Sequence, residues 1–131
     1  MNKIANYYVD CIRDKKKTYY LIRQLEDDQI VIEPTRYLAY KTKTNCSPKT
    51  VKGNAHSLRY YLDYLDEHKL AINNVMDMKF DKQQLHFIGF LEWLKQGGHL
   101  NGTRSKMPSN ETCNIHLRTV FGWYQFMEVR V

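Results

Sequence analysis

The chain has 131 residues, 43% hydrophobic and 26% charged, the size of one globular domain able to bury roughly 68% of its unfolded surface without metal or disulfide staples. No run approaches the ~20 apolar residues of a membrane-spanning helix, mean hydropathy is −0.62, and the N-terminal MNKIANYYVDCIRDKKK has no apolar signal-peptide segment. Twenty basic against fourteen acidic residues give a net charge of +6, which favours a polyanionic partner without identifying one.

Cys11, Cys46 and Cys113 stand far apart with no C-x-x-C pair, the pattern of reduced thiols in a cytoplasmic protein. The histidines, His56, His68, His86, His99 and His116, form no H-x-x-x-H or H-x-H. No metal and no cofactor is therefore expected.

In chain order, residues 1–17 end in Lys15-Lys16-Lys17 and show little periodicity, so they read as a lead-in. TYYLIRQL and QIVIE are short β-branched and aromatic runs flanking Glu26-Asp27-Asp28, which predicts a hairpin or extended appendage within residues 1–33. From Pro34 the signals are helical, and residues 34–131 read as one all-α domain. The first helix runs from Pro34 to near Asn45. Ser47-Pro48 supplies an N-cap and a proline at the first helical position of a second helix reaching about Lys69. Its Val51, Ala55, Leu58, Leu62 and Leu65 fall within a stripe about 80° wide.

Asp81 and Gln84 form a D-x-x-Q capping box for a third helix, about Asp81 to Gln96, with Leu85, Ile88, Leu91 and Leu94 as its inner stripe and Phe87, Phe90 and Trp93 beside them. Gly97-Gly98 stops it. After a glycine-rich loop, Pro108-Ser109-Asn110 starts a fourth helix whose inner face carries Cys113, Leu117, Val120, Phe121, Tyr124 and Met127. Four helices of this kind imply a compact bundle.

The charge pattern singles out the second helix. Lys49, Lys52, His56 and Arg59 occupy its first half without an acid, while Asp63, Asp66 and Glu67 lie in the second. The helix dipole favours the opposite arrangement by about 0.3–1 kcal/mol per charge, and a bound anion would reverse that balance. The alternative is an ordinary solvated face. Gly53 costs ~1 kcal/mol relative to alanine in mid-helix; it either admits a phosphate backbone or packs against a neighbouring helix. Asn114, Arg118 and Gln125 form a polar stripe on the fourth helix, types suited to base edges in a major groove and equally to a plain surface. Arg104 and Lys106 gather charge ahead of that helix, where phosphates bind well. Tyr37 and Tyr124 fall at core spacing, which argues against a base-stacking role for the tyrosines.

Ser47-Pro48-Lys49-Thr50-Val51-Lys52, followed by Leu58-Arg59-Tyr60-Tyr61-Leu62-Asp63-Tyr64-Leu65, resembles the S-P-x-T helix of the core-binding domain of tyrosine recombinases, the phage and transposon integrases. Asn110 to Cys113-Asn114, Leu117 and Phe121 to Met127 resemble that domain's last helix, and Phe80 to Leu94 the helix between them. The chain departs from the pattern at Asn110-Glu111 and at Gly53. The resemblance implies a four-helix, SAM-like core-binding bundle forming half of a clamp on double-stranded DNA. It also implies contacts to phosphates or grooves from Lys49, Thr50, Lys52, His56, Arg59, Asn114 and Arg118. In such a family the catalytic Arg, Lys, H-x-x-R and Tyr belong to a further domain, so this chain by itself is expected to be no enzyme and to be monomeric in isolation. Its expected partners are duplex DNA, the catalytic domain of its parent and other recombinase protomers on DNA, with no membrane. The alternative is a helical protein–protein interaction module with a basic face. A small enzyme is disfavoured by the lack of a paired-carboxylate, Ser/His/Asp or metal motif.

Overall fold

The computed structural model describes residues 6–100 and 107–129. In chain order these are β1 (Tyr7–Asp14), β2 (Lys17–Gln24), α1 (Ile32–Lys43), α2 (Pro48–Glu67), α3 (Ile72–Met76), α4 (Phe80–Lys95), a 3-10 turn at Gly98–Leu100, and α5 (Asn110–Val129). The helices form a bundle, and β1 and β2 pair as a two-stranded antiparallel sheet packed on it.

The hairpin lies one strand earlier than the sequence pattern suggests. The expected lead-in supplies β1, and Asp14 pairs with Lys17 across a Lys15-Lys16 turn. Asp10 meets Arg23 across the strands at 3.0 Å. The QIVIE run contributes only a bridge between Ile30 and Arg23, and α1 then begins at Ile32, ahead of Pro34. The pairing that wins is the one that buries Leu21 and Ile22. Alternating charges at Asp10, Arg13 and Asp14 mask the partner strand in the sequence.

Nor is the hairpin an appendage. Ile22 belongs to the same buried cluster as Leu38, Leu58 and Leu62. Its backbone N–H donates to Thr35 Oγ1 at 3.2 Å, and its carbonyl accepts from Val31 N–H at 2.8 Å. At the other end Tyr7 O–H donates to Asp66 at 3.0 Å and the Asn6 N–H to Asp63 at 3.1 Å. The expected boundary at residues 33 and 34 therefore falls inside α1 and separates no two cores.

α2 is the axis of the core. Ser47 Oγ accepts the Thr50 N–H at 3.2 Å, Pro48 occupies the first turn, and Val51, Ala55, Leu58, Leu62 and Leu65 are all buried as their spacing predicts. The helix stops where Lys69 turns left-handed (φ 56°) and Leu70 N–H returns to Leu65 C=O at 2.9 Å.

α4 is rotated from the expected face. Leu85 is 71% and Ile88 51% exposed, and the buried stripe is His86, Phe90 and Leu94. Periodicity could not choose, because Leu85, Phe87, Ile88, Phe90, Leu91 and Trp93 make this helix apolar nearly all round. His86 decides it: Nε2 lies 2.8 Å from Tyr61 Oη, which lies 2.7 Å from Tyr124 Oη. The Asp81–Gln84 capping box does not form. α4 begins at Phe80 without a side-chain cap, and Gln83 instead donates its amide to Val75 C=O at 2.8 Å.

On α5, Cys113, Val120, Tyr124 and Met127 are buried as expected. Phe121 is 44% exposed and Trp123, absent from the expected stripe, is fully buried, 6.3 Å from the Tyr61 ring. Gly122 leaves room for Tyr37, whose Oη would lie 2.7 Å from a Cβ there.

Candidate nucleic-acid interface

The basic stripe of α2 divides into an outer and an inner part. Lys49, Thr50 and Lys52 are exposed, and no acid stands in the first turn, so their charge opposes the helix dipole. Thr50 also serves the cap, its Oγ1 accepting from Ser47 O–H at 2.9 Å. Gly53 faces open space: a Cβ there would meet nothing within 4 Å. Packing against a neighbouring helix therefore does not explain this glycine, which leaves its ~1 kcal/mol cost unopposed within the fold.

His56 and Arg59 are the inner part and do not match the exposed positions expected for them. Burial, with Arg59 and Lys52 nearby, holds the His56 imidazole below its ordinary pKa. The charged form is thus disfavoured in the free chain, and the ring can offer a phosphate an N–H. The Arg59 side chain is 16% exposed, stacked 4.7 Å over the Tyr60 ring and 3.7 Å from Asp63 Oδ2. Angular position placed Arg59 on the basic stripe; the neighbour packed beside it turned the guanidinium inward.

Beneath Arg59 lies an aromatic wedge. The Tyr60 ring sits 4.7 Å from His99 and 5.1 Å from His116, and His116 Nδ1 is 2.6 Å from Ser57 Oγ. Burial, reinforced by His99 and His56, pushes His116 down to about 4. Burial and Arg59 also lower His99. Burial thus disfavours the charged form of all three imidazoles where α2, the 3-10 turn and α5 meet. Thr119 O–H donates to Asn54 at 3.3 Å on the same seam. Ser57 is buried, so its pairing with His116 is a structural joint rather than an accessible nucleophile.

Asn114 and Arg118 are exposed on α5. The helix starts like α2, with Ser109 Oγ accepting the Thr112 N–H at 3.2 Å, yet Glu111 stands in its first turn. The two helices thus share a cap and differ in charge. Arg104 and Lys106 lie outside the described residues.

Two features were not read as sites in the sequence. Lys16 and Lys17 of the hairpin tip line a cleft of about 260 Å³ with Thr42, Asn45, Ser47 and Pro48, beside the start of α2. The Lys15-Lys16-Lys17 run was visible, but its location needed the fold. Between α4 and α5 an open groove of about 440 Å³ is lined largely by apolar side chains, among them Phe80, Phe87, Ile88, Leu117 and Phe121. Among the described residues no cluster of His, Cys, Asp and Glu is placed to hold a metal ion, the cysteines are free, and no helix is long and apolar enough to cross a membrane.

No family model matches the chain, and neither a curated protein nor a solved structure does.

Proposed function

We propose that this chain binds duplex DNA as the SAM-like core-binding domain of a tyrosine recombinase of the phage or transposon integrase type. It would position recombination-site DNA, in the cytoplasm, for a catalytic domain and for other protomers on the same DNA. The observation that carries this reading is Gly53. A helix-weakening residue packed against nothing stands on the exposed face of α2 between Lys49, Lys52 and His56, where a phosphate backbone can approach the helix closely. Lys49 and Lys52 supply the charge, Thr50 and His56 further hydrogen-bond donors, and Asn114 and Arg118 the groups suited to base edges. Arg59 acts from behind, ordering Tyr60 and the histidines.

The test is duplex-DNA affinity across a salt series. Log K should fall against log salt with a slope of about −0.9 per phosphate contacted. Lys49→Glu with Lys52→Glu should abolish binding while leaving the fold intact. A flat salt dependence, or unchanged affinity in the double variant, would remove the reading. The exposed Phe80, Leu85 and Ile88 favour a second reading, a helical protein-interaction module with a basic face. That reading gains if an acidic protein or heparin is bound more tightly than duplex DNA.

A further inference from the structure

The hairpin runs alongside α2. Its base is tied to the last turn of the helix by Tyr7 and Asn6, both hydrogen-bonded to Asp66 at 3.0 and 3.2 Å. Its tip reaches the other end, where Lys16 and Lys17 line a cleft with Ser47 and Pro48. The lengths agree: eight-residue strands extend about 26 Å and a 20-residue helix about 30 Å. With Leu21 and Ile22 buried in the bundle, the tip is mounted on the core.

The charge at that end is predominantly basic, with Asp14, exposed and paired with Lys17 across the turn, the one carboxylate among tip residues 14–17. Lys15, Lys16 and Lys17 are all exposed. Lys41, Lys43, Lys49 and Lys52 follow in the chain with no carboxylate among them, while Arg36 and Arg59 are paired with Glu33 and Asp63. The cleft is lined by lysine, hydroxyl and amide side chains together with Cys46 and Pro48, a mixed lining whose charged groups are both cations. Lys15 holds a left-handed backbone (φ 57°), where glycine is the cheaper residue. The turn keeps a cation at a position its geometry does not favour, in a run of three.

We infer that the Lys15–Lys17 tip is a third DNA-contacting element, which grips the phosphate backbone beyond the segment met by α2 and extends the footprint along the duplex from the N-terminal end of that helix. The inference rests on the duplex-DNA reading above. It adds a separate segment of the chain and separate phosphates. The cleft beside Ser47 and Pro48, which Lys16, Lys17 and Asn45 also line, takes one phosphate.

The experiment compares the full chain with Lys15→Gln, Lys16→Gln, Lys17→Gln in one variant and Lys15→Arg, Lys16→Arg, Lys17→Arg in another. Both are checked for an unchanged melting curve, and both are titrated with one duplex over a salt series and footprinted with hydroxyl radicals. The glutamine variant should bind about tenfold more weakly at low salt, with the salt slope shallower by the equivalent of one to three phosphates, at ~0.9 each. It should also lose protection at one end of the footprint only. The arginine variant should restore all three. Wild-type slope, affinity and footprint in the glutamine variant would overturn the inference while leaving the α2 interface standing. Absence of duplex binding by the unaltered chain, or preference for heparin, would instead overturn the reading beneath it. If the glutamine variant melts early, Lys16→Gln alone, which touches neither strand nor left-handed position, decides between the same outcomes.

Discussion

The two halves of α2 have the same backbone and opposite surroundings. From Ser57 to Leu65 nearly every side is covered: Ser57, Leu58, Tyr61, Leu62, Asp63, Tyr64 and Leu65 are all buried. From Pro48 to Gly53 only Val51 is buried, and Lys49, Thr50, Lys52 and Gly53 stand in solvent. One helix thus serves as core at one end and as surface at the other. The difference teaches where its polar residues act: Asp63 and Arg59 are part of the packing, while Lys49 and Lys52 are free to meet something outside the fold.

The strongest way to probe the covered half is Leu62→Ala. Leu62 is 4% exposed and lies in the cluster shared by the hairpin and the helices, so the lost methyl groups and the remaining cavity should cost about 2–5 kcal/mol. Denaturant unfolding should show a large fall in midpoint. A fall no larger than that of a surface substitution would mean that the two halves do not differ as described.

Acid should act on the covered half next. Burial holds His86 at about 4 and His116 at about 4, below the unfolded value near 6.5. The unfolded chain therefore binds more protons in this window. The stability that these histidines contribute is complete above pH 6.5 and is lost as the pH falls towards 4. His86→Asn should flatten that part of the stability curve, because asparagine offers Tyr61 a polar partner that does not titrate. An unchanged slope between pH 6.5 and 4 in the variant would show that His86 is not among the titrating groups.

How much of this was legible in the sequence follows the same division. The core stripe of α2 could be read because apolar residues interrupt polar ones at a helical period, and the Ser47-Pro48 start could be read because caps are local. The inner face of α4 could not, since its apolar residues surround the helix and a polar one, His86, faces the core to reach Tyr61. β1 was hidden because its charges obscure the alternation and its pairing is set by the burial of Ile22 on the partner strand. In the candidate interface, Lys49, Thr50 and Lys52 were legible as exposed side chains. The inward turn of Arg59 depends on Tyr60 and Asp63 and the lowered pKa of His56 chiefly on burial, neither of which helix periodicity alone supplies. The hairpin tip was legible as charge and illegible as place.

The smallest and sharpest comparison is Gly53→Ala. The added Cβ meets no atom within 4 Å and the backbone is already helical, so alanine should raise stability by roughly 1 kcal/mol. On the reading proposed for this face, the same methyl group stands between the helix and an approaching phosphate backbone and should weaken duplex binding several-fold. Stability and affinity should thus move in opposite directions at one position, a result that general loosening of the fold cannot produce. Calorimetric melting and a DNA titration on the same sample measure both. A more stable variant with unchanged affinity would leave Gly53 without a role at the interface, and a less stable one would mean that the exposed half of α2 is not free of contacts.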